Sequence, residues 1–69
     1  MTRSPVRVLI VDDHTLVRAG LTRLLQTFDG IQVVAEASNA EQALEMALFH
    51  VPDLIPVSYT HLRAHETLR

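Results

Sequence analysis

The chain has 69 residues, with six basic side chains, eight acidic ones, a formal charge of −2 and no cysteine. That allows one small domain near the lower limit of what folds alone, and it excludes a disulfide framework, a thiolate metal site and a net-basic nucleic-acid surface. No apolar run approaches the ~20 residues needed to span a bilayer, and Met1-Thr2-Arg3-Ser4-Pro5 is not a secretory leader, so no membrane contact and a cytoplasmic location are expected.

Val6 to Val11 predicts a strand. Its run Val8-Leu9-Ile10-Val11 is branched and apolar on both sides, as in a parallel sheet covered by helices on each face. The run stops at two adjacent acids, Asp12 and Asp13. Ligands of open α/β sheets bind outside the carboxyl ends of the strands. Two carboxylates side by side repel one another, and a hard divalent cation such as Mg²⁺, held by one or two carboxylates with waters and phosphate oxygens, offsets that repulsion. A purely structural alternative stands beside the metal site: Asp13 caps the following helix, and Asp12 is a solvated neighbour favoured by the helix dipole.

From His14 onward Leu16, Val17, Gly20, Leu21, Leu24, Leu25 and Phe28 recur at helical spacing, predicting an inward face, with Arg18, Thr22, Arg23 and Gln26 outward. Asp29-Gly30 is expected to end this helix through a left-handed glycine. Ile31 to Ala37 predicts a second strand, placed nearer an edge because Gln32 and Glu36 interrupt it. Ser38 or Asn39 caps a second helix, each with a partner three residues on, Glu41 or Gln42. Ala40, Ala43, Leu44, Ala47 and Leu48 are its expected inward face, and Pro52 stops it just after His50. Asp53-Leu54-Ile55 opens a third strand. Strand, helix, strand, helix, strand with short connections implies a parallel α/β sheet with right-handed crossovers.

Val8-Leu9-Ile10-Val11-Asp12-Asp13-His14, followed by Leu16-Val17-Arg18-Ala19-Gly20-Leu21, resembles the start of a bacterial response-regulator receiver domain. The histidine after the acids and the Arg-x-Gly-Leu segment are similar to the NarL/LuxR-type subfamily of transcriptional regulators. Glu36-Ala37-Ser38-Asn39, Glu41-Gln42 and Pro52-Asp53-Leu54-Ile55 resemble it too, in order and separation. The likeness covers roughly residues 5 to 55. It implies an incomplete flavodoxin-like (CheY-like) sheet comprising the first β-α-β-α-β part of a fold with strand order 2-1-3-4-5. It further implies a phosphorelay in which a sensor histidine kinase donates a phosphoryl group to an aspartate ending the third strand, with Mg²⁺ at Asp12 and Asp13. Phosphorylation would then drive homodimerisation and free a C-terminal helix-turn-helix domain for DNA; that domain is missing here. The receiver itself is not an enzyme on this likeness.

After Ile55 the likeness stops. The family would continue with Leu-Leu-Asp or similar and place the acceptor aspartate at about position 58, where this chain has Ser58 after Pro56 and Val57. Serine cannot form the acyl phosphate, and its hydroxyl is a poor nucleophile without an adjacent base. Proline in a central third strand removes a ladder hydrogen bond. The family's later lysine has no counterpart, because all six basic residues are arginine. Residues 1–55 therefore read as the N-terminal part of a receiver truncated within its third strand. Residues 56–69 read as a non-family tail, non-native or disordered. In that tail His61 and His65 lie four apart with Glu66 next, a spacing compatible with a transition metal but not in the order of zinc proteases; an incidental helix is the plainer reading. His14 reads as a first-turn or loop residue beside the acids, His50 as a helix-end residue suited to the dipole, and Phe28 and Phe49 as packing residues.

Two rivals accompany the signalling module. A metal-dependent phosphatase of the haloacid-dehalogenase type wants Asp-x-Asp after the strand, and the second position after Asp12 is His14. The other is an inert truncated product. A dinucleotide-binding unit is excluded, since no glycine-rich loop follows the first strand. A half-domain with an unpaired strand edge is expected to be marginally stable or molten.

Overall fold

The computed structural model describes residues 4–58, in the order β1 (Val6–Asp12), α1 (Thr15–Gln26), β2 (Ile31–Ala37), α2 (Ala40–His50) and β3 (Val57–Ser58). The three strands form one parallel sheet in the order β2-β1-β3. The central strand is the apolar run, and Val8, Leu9, Ile10 and Val11 are buried. An incomplete flavodoxin-like sheet is what the alternation and the family likeness imply. The paired histidines of the tail, His61 and His65, lie outside the described residues.

Alternation along β1 sends its side chains to two different helices. Leu9 and Val11 join Ala35 and Ala37 of β2 against Ala43, Met46 and Ala47 of α2. Val8, Ile10 and Asp12 belong to the opposite face, which α1 covers. The β1–β2 pairing slips by one residue: Val8 faces Val33 but Leu9 faces Ala35, leaving Val34 over. Beyond the slip Glu36 lies opposite Ile10, on the α1 side of the sheet. An unbroken register would have set it opposite Val11, over the α2 core.

Both helix faces differ from the expectation. In α1 the sheet-facing residues are Arg18, Leu21, Thr22 and Leu25, whereas Leu16, Val17, Leu24 and Phe28 are exposed. In α2 Met46 takes the inward place expected for Leu44 and Leu48, which are exposed with Phe49. Each helix carries more apolar residues than one face can hold, so the period alone left its rotation ambiguous. Phe49 packs edge-on against His50 instead, with ring centroids 4.9 Å apart.

The helix ends are locally specified. Of the two cap candidates for α2, Asn39 is the one used, accepting the Gln42 backbone N–H at 2.8 Å. The Gln42 side chain in turn accepts from the Ser38 backbone N–H and hydroxyl, a variant of the reciprocal capping box. Helix α1 ends earlier than expected, at Gln26, with Thr27 as its cap and its hydroxyl donating to the Leu24 carbonyl at 2.7 Å. Gly30, at φ +86°, serves the turn into β2. Helix α2 closes on Val51, which holds φ 49° and ψ 63°. A branched side chain is poorly suited to that left-handed conformation. Val51→Gly is expected to stabilise the chain by about 1 kcal/mol, raising the melting temperature by roughly 4–8 °C in calorimetry.

Arg7 of β1 completes this corner. Its guanidinium donates to the carbonyls of His50 and Val51, which α2 cannot satisfy internally. The Asp53 carboxylate accepts the Arg7 backbone N–H at 2.9 Å, and the Asp53 N–H donates to the Arg7 carbonyl at 2.7 Å. Arg7→Met keeps the aliphatic stem but orphans those carbonyls. It is expected to cost about 2 kcal/mol, read as a lowered denaturant midpoint at unchanged slope.

The third strand is shorter than its apolar opening suggested. Leu54 makes an isolated bridge to Val8, the chain then passes Pro56, and regular pairing holds only for Val11 with Val57 and Asp12 with Ser58. The Pro56 carbonyl accepts from the Val11 N–H at 3.0 Å. In a parallel ladder the same residue should donate to the Leu9 carbonyl, and proline cannot. Among the described residues β3 is an edge, yet the proline nitrogen faces the central strand and not solvent, so the rung is lost from the β1–β3 ladder itself.

Candidate functional site

The carboxyl end of β1 sets two acidic side chains, Asp12 and Asp13, beside buried backbone. Asp12 is the last residue of the central strand and is wholly inaccessible to solvent. Its Oδ1 accepts the His14 backbone N–H at 2.8 Å, forming a tight turn over Asp13. Its Oδ2 is buried and has no hydrogen-bond partner among the described residues. A buried carboxylate oxygen without a partner costs more than a neutral one, and direct ligation by a hard cation would satisfy it. Asp13 follows, half-buried, at the rim.

Asp13 is not the N-cap of α1. The N-cap of α1 is His14, with no side-chain cap bond, and the first turn of α1 contains no acid. His14 is exposed, and its carbonyl accepts the Arg18 N–H at 2.9 Å to start the helix. The two acids thus stand on the strand end and turn, before the helix begins.

Arg18 and Glu36 border the pair, and neither was singled out for a role from the sequence. The Arg18 guanidinium donates through Nη1 to the Asp12 backbone carbonyl at 2.8 Å and through Nε to Glu36 Oε1 at 3.0 Å. Arg18 was expected on the outer face of α1 and Glu36 marked only an interrupted strand; the register slip in β2 brings them together. Nothing in the local sequence signals that slip.

Ser58 lies beside Asp12, its direct partner in the β1–β3 register, and is exposed. Side chains at paired positions emerge on the same face of adjacent strands, which lie about 4.8 Å apart. Among the described residues no group of three or more His, Cys, Asp or Glu could hold a metal by itself. Two carboxylates with water and phosphate oxygens completing the shell are, however, the usual protein share of a Mg²⁺ site. No helix among the described residues is long and apolar enough to cross a membrane.

Residues 8–58 match the family model described as the response regulator receiver domain. The match runs through Ser58, three positions past Ile55. The chain is 50% identical over 50 residues to the response regulator GacA of Pseudomonas viridiflava, covering 72% of this chain and 23% of that protein. It is 46% identical over 50 residues to the response regulator UvrY of Escherichia coli strain K12, covering 72% of this chain and 23% of UvrY. With the nitrate/nitrite response regulator protein NarL of the same strain the identity is 43% over 53 residues, covering 77% of this chain and 24% of NarL. The aligned part is therefore about a quarter of each relative's length.

Proposed function

This chain belongs to the response regulator receiver domain family, and from that premise we propose that Asp12 and Asp13 form the Mg²⁺-binding pair of a module built to accept a phosphoryl group from a sensor histidine kinase. The module serves a two-component phosphorelay that controls transcription. The observation that carries this reading is the Oδ2 of Asp12: a buried carboxylate oxygen with no hydrogen-bond partner among the described residues, at the carboxyl end of the central strand, next to a second acid. When bound, Mg²⁺ supplies positive charge to offset the phosphoryl oxygens and orient them. Asp12 and Asp13 hold the ion, and the turn bond to the His14 N–H keeps the Asp12 carboxylate in place.

Ser58 occupies the acceptor position beside Asp12, so this chain itself takes no acyl phosphate. It binds and presents, and turns nothing over. We take residues 1–55 as the receiver part and residues 56–69 as a segment of other origin. In an intact cytoplasmic regulator of this type, partners would be the kinase, a second phosphorylated copy and, through a C-terminal helix-turn-helix domain, DNA. No partner membrane belongs to this scheme.

Titration of Mg²⁺ into the ¹⁵N-labelled 69-residue chain tests the site. The amides of Asp12, Asp13 and His14 should shift saturably while those in the middle of α2 stay fixed. A flat titration at these three amides would overturn the proposal.

A further inference from the structure

The turn that carries the acid pair is fastened at three points: Asp12 Oδ1 to the His14 N–H, the His14 carbonyl to the Arg18 N–H, and the Asp12 carbonyl to Arg18 Nη1. The first two are bonds that any strand-to-helix turn of this kind makes for itself. The third is supplied by a side chain only 16% exposed, held from its other end by Glu36 on the neighbouring strand. A guanidinium is suited to this because its donors form a rigid planar fork that can serve two acceptors at once. The Asp12 main chain is thereby tied to both α1 and β2.

Charge makes the arrangement unusual. A cation beside a cation-binding pair repels the incoming ion, so Arg18 alone would weaken Mg²⁺ binding. Glu36 neutralises it, which leaves the acid pair its full double negative charge while the carbonyl bond to Asp12 remains. We propose that Arg18, tethered by Glu36, is a positioning residue that presets the Asp12 carboxylate for Mg²⁺. This rests on Asp12 and Asp13 being the cation site.

The two roles of Arg18 predict opposite signs. If the residue acted only through its charge, Arg18→Met would strengthen Mg²⁺ binding. As a positioning residue its loss weakens binding despite the relief of repulsion, by about tenfold, the low end of what partners behind metal ligands contribute. Glu36→Gln keeps an oxygen that can accept from Arg18 Nε but removes the compensating charge, and is expected to weaken binding through the exposed repulsion alone. The exchange Arg18→Glu with Glu36→Arg restores the ion pair but leaves no donor at position 18 for the Asp12 carbonyl, so affinity should stay low. Arg18→Lys, which keeps a donor, should recover part of it.

The measurement is Mg²⁺ titration of the full 69-residue chain and these variants by amide shifts, with metal-free hydrogen exchange of the His14 amide and far-UV circular dichroism in parallel. The expected result is faster His14 exchange in Arg18→Met without metal, an unchanged dichroism spectrum and a raised Kd. Equal or tighter Mg²⁺ binding by Arg18→Met overturns the positioning role alone. Rescue by the charge exchange shows that the ion pair suffices, and overturns it as well. If Arg18→Met loses its dichroism, the charge exchange decides: affinity equal to that of the unmodified chain overturns the positioning role, and lowered affinity supports it. Failure of the unmodified chain to bind Mg²⁺ instead removes the acid-pair reading, and the positioning role falls with it.

Discussion

Asp12→Asn should trade Mg²⁺ affinity for stability. Asparagine keeps an oxygen to accept the His14 N–H that Asp12 Oδ1 now holds, so the turn survives. What disappears is a buried charge whose second oxygen has no partner among the described residues. At an effective dielectric of about 20, two unit charges 4 Å apart interact by about 4 kcal/mol, and a divalent ion doubles this; a third of the total is a loss of roughly a hundredfold in affinity. Without metal, relief of the buried charge should stabilise the variant by about 1 kcal/mol. Titration by amide shifts and denaturant unfolding without metal check the two halves separately. An unchanged Kd would mean that Asp12 is not a ligand. A destabilised metal-free variant would mean that its carboxylate is satisfied by something other than a cation.

Ser58→Asp should restore what the third strand lacks. Ser58 and Asp12 are register partners, and side chains at paired positions share a face on strands about 4.8 Å apart. A carboxylate at 58 therefore joins the pair as a third oxygen donor, and Mg²⁺ affinity should rise about tenfold or more, within the range set by adding one nearby charge. It also offers the right nucleophile. With acetyl phosphate, a carboxylate oxygen attacks phosphorus, the bond from phosphorus to the acetyl oxygen breaks, and acetate leaves with that oxygen. The unmodified chain should gain no base-labile phosphoryl group under these conditions, whereas Ser58→Asp should gain one, seen by intact mass and lost on mild base. A stoichiometric base-labile adduct on the unmodified chain would place an acceptor elsewhere. An acid-stable one on Ser58 would make the serine competent.

The sequence carried the elements and the strand end well, because those depend on local signals. The span of β2, a cap at Ser38 or Asn39 and the acids closing β1 all follow from neighbours within a few residues. Helix rotation was not legible in the same way. Val17, Leu21, Leu24 and Leu25 all fit one broad stripe, and it is packing against the sheet, not the stripe itself, that sets Arg18 and Thr22 inward and leaves Leu24 exposed. Nor was Glu36 legible as a tether. Its place follows from a register slip at Val34, a property of two strands pairing rather than of either alone. The acid pair was read from chemistry, and the arginine bonded to the Asp12 carbonyl was hidden by geometry.

Pro56 has one more consequence. Its ring removes a rung where β3 meets β1, so the short third strand is held there chiefly by what it accepts from the centre. Weakly fastened segments open on their own, well before a domain unfolds. The first part of this sheet to detach is then the one that carries position 58, so the floor of the site can outlast its side wall. Residence of any group bound between them would be set by local breathing of an edge rather than by the stability of the whole.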